Sequence, residues 1–560
     1  MNNEREHPSV PELKAQLRDG KINRREFLWT ATMLGVSASV AYEFAGRVAG
    51  RSMIPEARAA IPQGGTIRIG MRVFPIEDPH AYSFPAQSNI GRQVFEYLSK
   101  TGQDNITRPY LLESWQPSDD IRTWTLNVRK GVTWRNGREF TADDVIWNFQ
   151  RVLQPETGSS TLGLMKSYLL DEYETGETDD KGKPKKATRL WDANAIERVD
   201  SHTVRLNCKA PQLAVPEHLF HYPFGILDPE EDGKFGVGSN GTGAFELVEL
   251  EVARKAVLRA RKDYWGDGPH IDELHFVNLG EDPATALAAV ASRQVDGLMN
   301  GEPTLLEAFR AQPHVDVHTV GTATAPTVRV KQTEKPFDDV RVRVALRKSI
   351  DSEQALQVAY RGLGVKGEHH LVAPIHPEYA PLPEWRRDVE GAKALLAEAG
   401  FPDGIDLTLD VRSEPRWIVD MAQNFKEQWA EAGIRVDLNV MPVPMYLKVW
   451  FTTHFGITNW RHRPLGIMVH GLAFRTGVPW NESGFSNAEF DEVLTKAEMT
   501  VDVEERRALM ERLEQILQDE GPAVQAFFVG EYTVYDKRVK GFQLHPTLYI
   551  FGNELGIEQS

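Results

Sequence analysis

Residues 389–441 read VEGAKALLAEAGFPDGIDLTLDVRSEPRWIVDMAQNFKEQWAEAGIRVDLNVM. The spacing predicts a helix over 391–399, stopped by Gly400, because glycine takes the left-handed conformation that commonly ends a helix. Strands follow at 407–411 and 434–440, with a helix over 418–432 between them. Outward from this stretch the same mixture recurs. Strands are expected at 66–70, 123–129, 203–206, 244–250 and 295–299, and another begins at 328. Helices are expected at 89–99, 283–293, 342–350 and 503–518, the last amphipathic through Leu509, Met510, Leu513, Ile516 and Leu517. Thr141 caps a further helix, with Asp143 and Asp144 in its first turn, where acids suit the helix dipole, and with Val145, Ile146, Phe149 and Val152 on one face. Residues 171–190 are almost all polar and read as a solvated surface excursion. Helices and strands intermix throughout, so the fold class is α/β or α+β, in several lobes.

The chain has 560 residues, too many for one core. Its apolar content of 41% and charged content of 26% are those of a globular protein. A net charge of −16 argues against nucleic acid and against anionic lipid, both of which demand a basic face. The single cysteine, Cys208, rules out an intrachain disulfide, and its strand-like neighbourhood at 203–207 reads as packed and inert.

Near the start, Arg24-Arg25-Glu26-Phe27-Leu28 precedes a short run of small and apolar residues, 29–41. That run is about two thirds of the roughly twenty residues a membrane-spanning helix needs. Ala57-Arg58-Ala59 then offers an A-x-A cleavage pattern. The segment resembles a twin-arginine export signal, with Asn23 where that pattern usually has Ser or Thr and Trp29 where Lys is frequent. The resemblance implies recognition by the twin-arginine translocation machinery, export of an already folded chain to the periplasm, and cleavage near Ala59-Ala60.

Several blocks, in order, resemble the large extracellular solute-binding proteins of ABC importers, the group (family 5) that includes peptide- and nickel-binding members. They are Pro109-Tyr110-Leu111-Leu112-Glu113-Ser114-Trp115, then 124–132, then Asn136-Gly137-Arg138-Glu139-Phe140-Thr141-Ala142-Asp143-Asp144-Val145. Gly241-Thr242-Gly243-Ala244-Phe245, Tyr264-Trp265-Gly266, Pro336-Phe337-Asp338-Asp339-Val340-Arg341 and 392–401 continue the series. The resemblance implies a two-lobed periplasmic-binding-protein fold with hinged lobes and an extra subdomain on lobe I. By analogy the signal occupies 1–59, lobe I 60–107 and 240–323, the extra subdomain 108–239, lobe II 324–530, and 531–560 returns to lobe I. It also implies a monomer that closes on a small-molecule solute and presents it to the permease subunits of an ABC importer, with no cofactor.

Within that resemblance, Asn459-Trp460-Arg461-His462-Arg463-Pro464-Leu465 is the informative segment. Peptide-binding relatives carry an aspartate three residues after the tryptophan, where it holds the peptide's ammonium group. Here that place is taken by Arg463, a charge reversal whose planar fork suits a carboxylate, a phosphate or polyol oxygens. Trp460, Arg461 and His462 are candidates beside it. Phe74 and Tyr82 follow the first strand, Trp480 and Asn481 follow a Gly-rich turn, and Lys331 stands where many relatives carry asparagine. His369-His370 are adjacent, expected to be solvated, and poorly placed to chelate; no HExxH, phosphate loop or G-x-S-x-G elbow is present. The expected ligand is therefore anionic or polyhydroxylated, opine- or sugar-acid-like. A di- or oligopeptide is the alternative, and a secreted hydrolase the second alternative.

Overall fold

The structure is a computed structural model and describes residues 6–50, 61–178 and 184–559. The cleavage pattern Ala57-Arg58-Ala59 lies outside the described residues.

Strands Ile405–Arg412 and Ile434–Met441 lie in parallel register, Leu409 opposite Leu438, and helix Arg416–Glu431 connects them. The helix turns Ile418, Ala422, Phe425 and Trp429 inward, and together with Leu409 and Ile457 they form one hydrophobic core. Val315–Val330 is a sixteen-residue strand. Its first part, from Val315 to Thr324, pairs with Phe527–Asp536; its second, from Ala325 to Val330, pairs with Phe455–Trp460. Phe527–Asp536 also meets Gly297–Leu298, which leads on through Thr66–Gly70, Glu273–Val277, Lys255–Ala260 and Phe245–Glu251. A single mixed sheet therefore runs from one lobe to the other. Its two long strands carry the crossing, and their register shifts between Gly321 and Thr324. The divisions expected at 323/324 and 530/531 fall inside these crossing strands.

The sequence placed the start of a strand at 328, but the strand begins at Val315, because residues 318–322 are mostly polar or small and hide the pattern. The helix expected over 89–99 is shorter, Pro85–Gly91. Beyond it the carbonyls of Gln93 and Val94 accept from the N–H groups of Phe245 and Gly243 (2.9 and 2.8 Å), so they are lost to a helix. A Cβ on Gly241 or Gly243 would fall within 2.5 Å of these backbones, which explains the two glycines. The described part of residues 171–190 is solvated but forms regular structure, the antiparallel pair Leu170–Thr178 and Pro184–Leu190. Cross-strand ion pairs such as Lys185–Glu177 accompany a ribbon with little buried face.

The helices Ala142–Val152 and Val503–Glu520 form as expected. Asp144 Oδ2 accepts from the Thr141 N–H at 2.8 Å, closing the first turn of the former. Residues 465–517, expected with lobe II, bury Leu465, Phe490, Leu494, Met510 and Leu513 in the core shared by lobe I and its subdomain. Cys208 is buried, and burial pushes its thiol up to about 12, well above the range of a reactive cysteine. His369 and His370 are fully buried rather than solvated. His369 Nδ1 accepts from the Gln525 N–H at 3.2 Å, and His370 Nδ1 from the Val372 N–H at 3.3 Å.

Candidate ligand cleft

A cavity of about 250 Å³ opens between the lobes. Lobe I supplies the loop after its first strand, including Met71, Arg72, Phe74 and Phe84, and lobe II supplies Arg412, Glu414, Trp450, residues 457–461 and Arg463. Tyr222 and Trp480 complete the wall. Trp460, Arg461 and Arg463 line the cavity. His462 turns away, where its Nδ1 accepts from the Ala323 N–H at 3.1 Å and its Nε2 lies 3.0 Å from Asn105 Oδ1.

The electrostatics of the wall are one-sided. Four arginines, Arg72, Arg412, Arg461 and Arg463, line it, against one carboxylate, Glu414. Arg461 is paired with the buried Glu531 at 2.7 Å. Arg72 reaches across the cleft to Glu414 and is 3.2 Å from Glu281. Arg463 donates from Nη1 to the carbonyls of Arg461 and His462, both at 3.1 Å, and its guanidinium sits 5.2 Å above the Tyr222 ring. Burial, with Arg461 and Arg72 close by, lowers Arg412 to about 10, which still leaves it charged at neutral pH.

The cavity holds unmet hydrogen-bonding capacity. Nε of Arg412, Nε of Arg463 and both amide atoms of Asn459 are buried without partners. Each such atom costs about 1–3 kcal/mol unless something satisfies it, so their convergence on one cavity marks a place for a polar ligand. Around them, Trp460 and Trp480 meet edge to face at 6.0 Å, Trp450 lies 6.5 Å from Trp480, and Phe74 stacks on Phe84 at 5.2 Å. Flat rings of this kind bury the apolar face of a ligand while guanidinium groups hold its anion.

Of the nine positions singled out in the sequence, Phe74, Trp460, Arg461, Arg463 and Trp480 line the cavity and four do not. Tyr82 is buried in the core with its hydroxyl donating to the Ile76 carbonyl at 3.0 Å, so its ring packs the loop rather than a ligand. The Lys331 ammonium donates to the Phe451 carbonyl at 2.9 Å outside the cavity. His462 faces Asn105, as described, and burial holds its imidazole neutral by pushing its pKa well below the usual value. Asn481 is spent on its own turn, donating to the Phe485 carbonyl at 2.7 Å and accepting from the Phe485 N–H at 3.1 Å. Sequence reasoning missed Arg72, Arg412, Glu414 and Asn459. Asn459 stands in the informative segment, but only its burial without a partner distinguishes it; Arg412 ends the strand Ile405–Arg412, Glu414 follows it, and Arg72 follows Thr66–Gly70, so the three reach the cavity from separate parts of the chain. Among the described residues no three His, Cys, Asp or Glu side chains gather to hold a metal ion.

Residues 107–476 match the family profile described as bacterial extracellular solute-binding proteins, family 5 Middle. Heme-binding protein A of Haemophilus influenzae is 25% identical over 490 residues, 82% of this chain and 86% of that protein. Among solved structures, the ABC transporter-associated periplasmic binding protein DppA of Helicobacter pylori, in complex with the peptide STSA, superposes with a TM-score of 0.76 at 20% identity, over 89% of this chain and 99% of that one. The binding protein AgaA of A. tumefaciens R10, in complex with agropinic acid, gives the same TM-score, identity and coverage. With two thirds of its length matched and its two-lobed α/β architecture shared along nearly the whole of the solved relatives, this chain belongs to the bacterial extracellular solute-binding proteins, family 5.

Proposed function

We propose that this protein captures a small anionic solute in the periplasm and delivers it, as a monomer, to the permease subunits of an ABC importer. The observation that carries this reading is the convergence of four arginines and the orphaned Arg412, Arg463 and Asn459 atoms on one cavity between the lobes. A ligand carboxylate would meet the guanidinium groups, hydroxyls would meet Asn459, and the indole rings would cover a sugar-like body. An opine or sugar acid combines all three features. The agropinic acid held by AgaA, on the same fold, is a compound of the class this reading calls for. Closure buries the ligand, and only its preference for the closed form drives the change that a permease reads. Export by the twin-arginine route fits a fold that needs no disulfide.

A second reading, a di- or oligopeptide ligand, draws on Glu414. Its Oε1 is buried without a partner on the cavity wall and would accept an ammonium group. The two readings separate in one experiment. Mass spectrometry of solutes released from the protein purified from its native periplasm should find an acidic, hydroxyl-rich compound. Recovery of peptides alone would replace the anion reading with the peptide one, and chemical turnover of any bound solute would remove both.

A further inference from the structure

The N-terminal segment is not accounted for by solute capture, yet it is built into the fold. Helices Val10–Arg18, Arg24–Met33 and Ala38–Val48 pack together. In the second of them Phe27, Leu28, Trp29, Ala31 and Met33 are all at most 3% exposed. The polar contacts are specific. Trp29 Nε1 donates to Glu217 Oε1 at 3.0 Å, and the Arg506 guanidinium sits 4.5 Å above the Trp29 ring. Trp115 Nε1 reaches the carbonyls of Thr32 and Met33 at 3.2 Å. Glu26, buried, is ion-paired with Arg507, and Tyr42 donates to Asp104 at 2.6 Å. These partners come from strand Leu112–Pro117, from the turn at Asp104, from Glu217 and from helix Val503–Glu520. No short stretch of the chain holds the groove, so it exists only once the body has folded.

The same helix divides Arg24-Arg25-Glu26-Phe27-Leu28 in two. Asn23 caps it by accepting from the Arg25 and Glu26 N–H groups (2.9 and 3.1 Å), and Arg24 and Arg25 stay exposed while Glu26, Phe27 and Leu28 are buried against the body. Anything that must grip Phe27 and Leu28 has to compete with the groove.

We propose that the folded body is a receptor for its own N-terminal segment, and that this docking controls access to Arg24-Arg25-Glu26-Phe27-Leu28. The first half stands on the contacts alone. The second rests on the reading of that stretch as an export address, and the test treats the two separately.

Hydrogen exchange on the full chain reads the docking. The amides of 27–33 should exchange at least roughly tenfold more slowly than in a free peptide of the same sequence. Arg507→Glu, a change at a partly exposed side chain outside the segment, should abolish that protection, and Arg507→Lys should keep it. Asp104→Ala loosens the third helix from a separate end and covers the case in which Arg507→Glu misfolds. Unprotected amides in the unaltered chain would overturn the proposal. Export reads the access. With the segment unchanged, Arg507→Glu should reach the periplasm severalfold faster per folded molecule, and the Arg24→Lys, Arg25→Lys double variant should not reach it. Equal rates for Arg507→Glu and the unaltered chain, or export indifferent to the arginine pair, would overturn the access half, and the latter result would show that the address reading is what failed.

Discussion

Arg412 in the cleft and Glu514 in helix Val503–Glu520 each carry buried side-chain atoms without hydrogen-bond partners. Glu514 is fully enclosed, near Glu368 and 3.8 Å from His370 Nε2. Burial, reinforced by Glu368, pushes its carboxyl well above the usual range, which favours its protonated, uncharged form. Arg412 has no such exit. Lowered to about 10, it remains a cation at neutral pH, beside Arg461 and Arg72. A closed interior can settle an unpaired acid internally. A cleft lined by guanidinium groups retains its charge and waits for an anion, which is why the same geometric flag marks a structural compromise in one place and a binding site in the other.

The contrast breaks most sharply at Arg463. Arg463→Asp places a carboxylate where the ligand's anion is proposed to sit, and calorimetry with an opine acid should show a loss of about 4 kcal/mol, roughly a thousandfold. Unchanged affinity would take Arg463 out of the site. Arg412→Met keeps the length and removes the charge, with an expected loss of about 3 kcal/mol. An equal loss for an uncharged analogue of the solute would assign the effect to packing instead of charge.

Glu514→Gln sharpens the other side. A carboxyl whose folded pKa lies above its unfolded value costs stability as pH rises from the ordinary glutamate range toward the raised value, because the folded state binds the extra proton. Denaturant titrations between pH 4 and 8 should show that decline in the unaltered protein and a shallower one in Glu514→Gln. Parallel curves would mean that Glu514 settles its burial in another way.

Asn459→Ala should weaken ligand binding by about 1 kcal/mol, the worth of a single neutral hydrogen bond, and leave the melting temperature unchanged. Lys331→Ala should leave affinity unaltered, since its ammonium points to the Phe451 carbonyl outside the cavity. A measurable loss there would place the cavity wall elsewhere.

The local periodicity of 389–441 was enough to read a strand–helix–strand unit, whose strands pair in parallel, because each element buries a face against its own neighbours. What escaped the sequence was long-range. The crossing strand Val315–Val330 lacks a clean alternation because it is flanked by different partners along its length. The helix expected at 89–99 ends early because residues 243–245 claim its carbonyls. At the site, Arg463 stood out by its departure from a family pattern that Trp460 keeps, and Arg461 stood beside it, whereas Arg412 and Glu414 sit at the end of an ordinary strand and reach the cavity from another part of the chain. His462 and Tyr82 show the converse. Adjacency in sequence put them near the cleft, and side-chain direction turned them into the core.

The central claim is that the cleft selects negative charge. Calorimetric titration of the purified protein with agropinic acid, with its carboxylate-blocked ester and with a dipeptide tests it directly. The account predicts saturable binding of the acid that weakens with added salt, little binding of the ester and none of the dipeptide. Tight, salt-insensitive binding of the dipeptide, with the acid silent, would contradict it.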